Sequence, residues 1–118
     1  MTQQEKYTSA SRQFLLKARE ALAEGDLTGA SEKGWDAAAQ MVKVIAEQRG
    51  WPNNGVRSVY ETVNKLLKET GDSEIGTLFH VAGSLRSNYY ENWLPADMVQ
   101  SGLGCVDEFI EKLKLLLA

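Results

Sequence analysis

The chain has 118 residues, enough for a single domain spanning 1–118, and its 43% hydrophobic and 25% charged residues are typical of a globular protein. Its formal net charge of −3 argues against a non-specific nucleic-acid binder, which would carry a basic face. The polar N-terminus lacks the apolar core of a signal peptide and no apolar run approaches the ~20 residues of a membrane span, so we expect a cytoplasmic protein without a membrane partner.

The first part of the sequence predicts a helical hairpin. Apolar residues at helical spacing indicate one helix over Gln3–Ala23 and a second over Leu27–Arg49. Between them, Gly25 favours a helix end and Asp26 favours an N-cap, so the turn is short and the two helices are antiparallel. Small residues on the apolar face of the second helix, such as Gly34, permit a neighbouring helix to approach closely.

The middle of the sequence predicts a loop and a third helix. Gly50–Gly55 is rich in glycine, proline and asparagine and is expected to be a loop. From Val56 onward, apolar residues follow a strict three-four pattern that ends before Gly71. Tyr60 falls on the apolar face of this helix, so we expect its ring to be part of the core.

Two further helices are predicted after Gly71. The fourth covers about Glu74–Trp93, with Tyr89 on its inward face, and the fifth begins after Pro95. Gly102 and Gly104 are expected to kink or fray the first half of the fifth helix. The predicted fold class is all-α, an up-and-down bundle of about five helices. Its core is expected to hold the aromatic residues Phe14, Tyr60, Phe79 and Phe109.

The sequence offers few residues from which a known catalytic or metal site could be built. A single histidine and a single cysteine argue against zinc and di-iron sites, no phosphate-binding glycine loop occurs, and no cofactor is expected. Cys105 is expected to be a small buried thiol, because the one residue that could activate it is His80. The helical wheel places His80 on the polar side of the fourth helix, where we expect it to be exposed and inert.

The segment LRSNYYENW, Leu85–Trp93, concentrates polar and aromatic residues. A helical wheel at ~100° per residue divides the segment into two sides. The basic and aromatic residues fall on one side, and Ser87, Asn88 and Glu91 fall on the other. The wheel therefore predicts a cluster within the aromatic face of the fourth helix, formed by Arg86, Tyr89, Tyr90 and Trp93.

A guanidinium group on an aromatic face must be paired or stacked, since burying an unpaired charge is very unfavourable. Arg86 could form an internal ion pair with Glu32 or Asp36 or with a partner subunit, or it could extend to the surface. Alternatively, it could belong to an anion or nucleotide pocket with walls formed by Tyr89 and Tyr90 together with Trp93.

A second polar cluster lies on the second helix, in the segment Ser31–Asp36. Glu32 and Asp36 stand four residues apart and share one side of the helix, with Trp35 at the edge of the apolar face. These charges are either a solvated flank or the opposite wall of the pocket that holds Arg86. Glu32 and Trp35 therefore join the candidate ligand-binding residues, while no catalytic residue and no metal ligand is predicted.

The chain also resembles a known group of proteins. The segment KAREALAEGDLTGASEKGWDAAAQMVKVIAEQRGW, followed by LFHVAGSLRSNYYENWL, looks like the PaREP-type proteins of prokaryotes, which are similar to the HEPN superfamily (higher eukaryotes and prokaryotes nucleotide-binding). The resemblance covers roughly residues 14–94. It implies an up-and-down helical bundle, often paired as a homodimer.

Some HEPN proteins are ribonucleases, and several of these are toxins that use an Arg-x(4–6)-His motif. The resemblance places Arg86 at the arginine of this motif. The positions where the histidine would follow hold Glu91, Asn92 and Trp93, and His80 precedes the arginine. RNA cleavage of this type needs a group that titrates near neutrality, which the histidine of the motif supplies. Because that histidine is missing, we expect no nuclease activity of this type.

Three functional hypotheses follow for this chain. The first is a non-enzymatic helical interaction protein, homodimeric, that acts through protein association or weak ligand binding. The second is a nucleotide- or RNA-binding protein that uses Arg86 and its aromatic neighbours. Such a protein could belong to a toxin–antitoxin-like system. The third is a residual nuclease in which Arg86 acts with Glu91 or His80.

Overall fold

A computed structural model describes residues 2–117 of the chain. Five α-helices follow one another, and no strand occurs within this range. They are α1 (Gln3–Ala23), α2 (Leu27–Gln48), α3 (Val56–Thr70), α4 (Ser73–Glu91) and α5 (Ala96–Lys114). The all-α bundle that the sequence predicts is thereby confirmed.

The turn between α1 and α2 has the predicted chemistry. Gly25 adopts a φ of +81°, a left-handed conformation that glycine reaches without steric cost. The Asp26 side chain accepts a 3.0 Å hydrogen bond from the backbone N–H of Gly29 and thereby caps α2. The short connection makes α1 and α2 neighbours along their lengths.

Helix α2 is the central element, since it contacts each of the four other helices. Its buried face consists largely of small residues, which lets the neighbours approach closely. A Cβ atom at Gly34 would lie 2.6 Å from Cδ2 of Leu103 on α5 and 3.0 Å from Cδ1 of Leu85 on α4. The packing of α4 and α5 on α2 therefore requires the absence of a side chain at Gly34.

Three expectations about the helices are wrong. Helix α5 is continuous from Ala96 to Lys114, because Gly102 is buried against Leu85 and tertiary packing outweighs its low helix propensity. Helix α4 ends at Glu91 rather than at Trp93, since Asn92 adopts the left-handed conformation with a φ of +52°. Tyr60 is 40% exposed, although its ring packs edge-on against Phe79.

The core lies between α2, α4 and α5, with α1 and α3 packed on either side. Phe79 and Phe109 are fully buried at its centre, with ring centroids 5.3 Å apart. Phe14 is half-buried and packs on the edge of this core. Between residues 2 and 117 no helix has the length and apolar character that crossing a membrane requires.

Candidate functional site

A pocket of about 240 Å³ opens between the middle of α2 and the C-terminal part of α4. Each helix contributes three side chains from about one helical turn to its walls, and the first residue of α3 closes a third side. The lining residues are Glu32, Trp35, Asp36, Val56, Arg86, Tyr89 and Tyr90. Five of the six candidate residues predicted from the sequence are therefore brought together.

Arg86 stacks on aromatic rings in this pocket. Its guanidinium carbon lies 5.9 Å from the centroid of the Trp35 ring and 5.4 Å from that of Tyr90, both within cation–π range. No carboxylate among residues 2–117 forms a salt bridge with it. Of the alternatives open for Arg86, the internal ion pair with Glu32 or Asp36 is therefore not formed within residues 2–117, and the half-buried guanidinium contacts the two rings.

Trp35 forms the floor of the pocket and links it to the core. Its ring is 9% exposed and packs against Phe79, with centroids 5.4 Å apart, and against Tyr60 at 6.1 Å. The position of the ring beneath Arg86 is therefore fixed by the aromatic core rather than by the ligand pocket itself.

The two tyrosines of α4 stand at the rim. Tyr89 is 41% exposed and Tyr90 66%, and their rings meet edge to face with centroids 4.9 Å apart. The expectation that Tyr89 points inward is wrong, because the buried face of α4 has turned away from it at this point. The charge of Glu32, and then a hydrogen bond to its carboxylate, raise the pKa of the Tyr89 hydroxyl.

Asp36 is a half-buried carboxylate on the α2 wall of the pocket. It forms no hydrogen bond or ion pair with any residue in the described range. Burial, and then the negative charge of Glu32 one turn away, raise its pKa, which Lys33 and Lys43 only partly offset. An unpaired acid with a raised pKa in a concave site is a recurrent mark of a functional position.

Arg86 and Asp36 therefore line the same pocket with opposite charges, and neither neutralises the other. Both groups are half-buried, so each loses part of its hydration without gaining an ion-pair partner among residues 2–117. A ligand between them that bears an anionic group and hydrogen-bond donors would satisfy both. The arrangement suits binding; it does not by itself bring together a nucleophile and a base.

Asn88 is the residue that the sequence interpretation assigned to the wrong side of α4. It is fully buried, and its Nδ2 donates a 2.9 Å hydrogen bond to Oγ of Ser31 on α2. Its Oδ1 accepts hydrogen bonds from the backbone N–H groups of Trp93 and Leu94, at 2.8 and 2.7 Å. Asn88 thus fixes the end of α4, beside Arg86 and Tyr89, to α2 and to the loop that follows.

A signal for Asn88 is present in the sequence. Phe79, Ala82, Leu85 and Asn88 stand at successive three-residue steps along α4, and all four are buried. Steps of three residues rotate the buried stripe around a helix, since a full turn takes 3.6 residues. A straight helical wheel misses this rotation, and it also places Trp93 in the cluster although the helix has ended.

The remaining candidates lie elsewhere. Trp93 is 65% exposed in the loop after α4 and does not line the pocket. His80 is exposed, as predicted, and lines a groove between α3 and α4 with Leu67 and Gly76. Glu91 is exposed and outside the pocket as well. The groups of the residual-nuclease hypothesis therefore do not share one site.

Two other sequence expectations concern reactive and metal-binding groups. Cys105 is half-buried rather than fully buried, and burial followed by the charge of Glu108 raises the pKa of its thiol, which disfavours the reactive thiolate. Within residues 2–117, no group of three or more histidine, cysteine or acidic side chains is arranged to hold a metal ion.

Comparison with known proteins adds one finding. The model of the archaeal PaREP1/PaREP8 family matches residues 6–110 of this chain. Comparisons with curated proteins and with solved structures give no match.

Proposed function

The chain belongs to the archaeal PaREP1/PaREP8 family, and we propose that it is a non-enzymatic helical module that binds a nucleotide, free or within RNA, in the pocket between α2 and α4. The observation that carries this proposal is the unpaired guanidinium of Arg86 at the wall of an open pocket. The likeness to the HEPN superfamily is part of the same proposal.

The chemistry of the pocket matches the two parts of a nucleotide. A guanidinium group binds phosphate oxygens with charge-assisted hydrogen bonds, and Arg86 has these donors available. Tyr89 and Tyr90 at the rim offer ring surface on which a base can stack, and such stacking is worth roughly 1–3 kcal/mol per base. The overall charge of −3 makes non-specific binding along a polyphosphate chain unfavourable, so a local site is required.

Intrinsic tryptophan fluorescence tests this proposal, because Trp35 forms the floor of the pocket. The purified chain is titrated with AMP, GMP, CMP and UMP and with a short single-stranded RNA. We expect saturable quenching, and we expect Arg86→Ala to weaken binding about tenfold or more, the effect of removing a hydrogen bond to a charged group. Quenching by RNA alone would assign the site to RNA rather than to free nucleotides.

Arg57→Ala is the matched control. Arg57 is an arginine on α3 with a 94% exposed side chain outside the pocket, so its removal changes net charge by the same amount without touching the site. Equal binding by the wild type, Arg57→Ala and Arg86→Ala would overturn the proposal, as would the absence of binding by every nucleotide and the RNA.

A second candidate function is association into a homodimer. Four large side chains within ten residues at the junction of α4 and α5 are strongly exposed: Tyr89, Tyr90, Trp93 and Met98. Aromatic residues and methionine are enriched at protein interfaces, and contiguous apolar surface on a monomer frequently marks one. A two-fold dimer would bring this patch of one chain against the same patch of the other.

Light scattering during size-exclusion chromatography tests the dimer. At tens of micromolar we expect a mass of two chains for the wild type and of one chain for the double variant Trp93→Ser, Met98→Ser. The matched control is Leu16→Ser, which removes a 53% exposed apolar side chain on α1 and should leave the mass unchanged. A monomeric wild type would exclude this candidate.

A further inference from the structure

We infer that the pocket selects a guanine base, and that Glu32 and Asp36 are the residues that determine this specificity. The inference rests on the proposed nucleotide-binding function and adds the identity of the base. It begins from the two carboxylates on the α2 wall, which face the same pocket as Arg86.

The two carboxylates form a pair of hydrogen-bond acceptors. Glu32 and Asp36 are one helical turn apart, and the charge of Glu32 contributes to the raised pKa of Asp36, so the two groups are close enough to interact. Ionised carboxylates accept hydrogen bonds and cannot donate them. Glu32 already accepts from the Tyr89 hydroxyl and lies 4.0 Å from Nζ of Lys33, whereas Asp36 has neither a hydrogen-bond nor an ion-pair partner among residues 2–117. The acceptor sites that stay free on the α2 wall favour a ligand edge that presents donors rather than acceptors.

The four bases differ in this respect. Guanine presents two adjacent donors on one edge, the N1–H and the exocyclic N2 amino group. Adenine and cytosine each present an amino group next to a ring-nitrogen acceptor, and uracil presents one N–H between two carbonyl acceptors. Acceptors placed against a carboxylate are repelled, so guanine complements Glu32 and Asp36 best.

The ligand must also satisfy the opposite wall. A purely cationic ligand would pair with the carboxylates but would be repelled by the unpaired Arg86 guanidinium. An anion without donors would bind Arg86 and be repelled by Glu32 and Asp36. A guanine nucleotide carries both required parts, since its base offers donors and its phosphate offers an anion.

The size of the pocket fits the base alone. Its volume of about 240 Å³ equals that of roughly eight water molecules at ~30 Å³ each. This space accommodates one heterocyclic ring system. The sugar and phosphate then extend past the exposed Tyr90 at the rim, on the side where Arg86 stacks.

The experiment compares the affinities of GMP, IMP and AMP for the folded chain by isothermal titration calorimetry. IMP keeps the N1–H of guanine but lacks the N2 amino group, so it isolates the second donor. We expect GMP to bind about tenfold or more tightly than AMP, with IMP between them, as for one well-matched base contact. We expect Glu32→Gln and Asp36→Asn to remove most of that preference while leaving AMP affinity within about twofold.

Glu91→Gln is the matched control, because Glu91 is an exposed carboxylate on α4 outside the pocket. Far-UV circular dichroism verifies that every variant is folded. Equal affinities for GMP and AMP, or a GMP preference that survives in Glu32→Gln and in Asp36→Asn, would overturn the guanine inference. If Arg86→Ala still weakened binding in that case, nucleotide binding itself would stand, whereas no binding of any nucleotide would remove both.

Discussion

The side-chain amide of Asn88 donates a 2.9 Å hydrogen bond to the hydroxyl of Ser31, and this bond joins residues 57 positions apart in the chain. Both side chains are completely buried. Ser31 in turn donates to the backbone carbonyl of Leu27, so a continuous polar path runs from the first turn of α2 to the last turns of α4. The orientation of the α4 wall of the pocket depends on this path.

Replacing Asn88 tests the importance of that path. Asn88→Ala leaves the backbone N–H groups of Trp93 and Leu94 without their acceptor and Ser31 without its donor, so we expect the free energy of unfolding to fall by about 2–4 kcal/mol. Urea denaturation measures this change. Ser87→Ala, at the exposed neighbouring position, should stay within about 0.5 kcal/mol of the wild type. Equal stabilities for the two variants would contradict the role of Asn88.

Two glycines should respond in opposite directions to the same substitution. Gly34→Ala places a methyl group 2.6 Å from Leu103, so overpacking at about 1–3 kcal/mol outweighs the gain in helix propensity and the protein is destabilised. Gly104→Ala, in the exposed part of α5, meets no atom within 4 Å and should stabilise the protein by about 0.5–1 kcal/mol. Thermal unfolding followed by circular dichroism distinguishes them, and a stabilised Gly34→Ala would show that α2 is less tightly packed than described.

Acid stability should depend on Asp107. Burial alone would raise its pKa, but hydrogen bonds from Arg12 at 2.6 Å and Arg19 at 3.2 Å outweigh burial and lower it. A lowered pKa in the folded state stabilises the protein above the unfolded value near 3.9, and this stabilisation is lost as the pH falls through the folded value. We expect Asp107→Asn to cost about 0.5–1 kcal/mol at neutral pH and progressively less below about pH 4.

Denaturation at a series of pH values measures this difference for Asp107. The control is Glu47→Gln, which removes an exposed carboxylate on α2 that forms no ion pair with residues 2–117. A cost of Asp107→Asn that remained constant down to pH 2 would show that the ion pairs with α1 are not its cause.

Asp36 should show the opposite dependence. Its raised pKa means that the charged form is disfavoured in the folded protein, so the carboxylate destabilises the fold above its folded pKa. This penalty disappears as the pH falls toward the unfolded value near 3.9. We expect Asp36→Asn to raise the free energy of unfolding at neutral pH by about 0.5 kcal/mol and to have no effect near pH 3.

The same pH series of denaturation curves tests the prediction for Asp36→Asn. A gain in stability together with a loss of ligand preference would mark Asp36 as a residue kept for binding at the expense of stability. A destabilised Asp36→Asn at neutral pH would instead indicate a structural role for the carboxylate.

Most of the fold could be predicted from local chemistry. The turn at Gly25 and Asp26 and the start of α3 at Val56 lie where capping and periodicity place them. These features depend on a few neighbouring residues, so they can be predicted from a short segment of the sequence. The end of α4 could not be predicted in this way, because it is fixed by hydrogen bonds that the side chain of Asn88 accepts from two residues beyond the helix.

The candidate site could be predicted only in part. Amphipathic patterns indicate which face of α2 and of α4 is apolar. They do not give the direction in which the two helices run past each other, which the contacts of Ser31 with Asn88 and of Gly34 with Leu85 show to be antiparallel. Whether Arg86 is paired with Asp36 or stacked on Trp35 depends on side-chain placement at the scale of a few ångströms. The rotation of the buried stripe on α4, which exposes Tyr89 and buries Asn88, arises from how the helices cross and not from α4 alone.

The start of α3 has a consequence for the exchange of amide protons. Asp26 and Asp72 cap α2 and α4 with side-chain hydrogen bonds, whereas Gly55 precedes α3 without one. The first turn of α3 should therefore open locally more often than the starts of its neighbours, and its amides should exchange with deuterated solvent sooner. Val56 in that turn forms one wall of the pocket, so an occupant of the pocket should slow this exchange and report binding through the backbone.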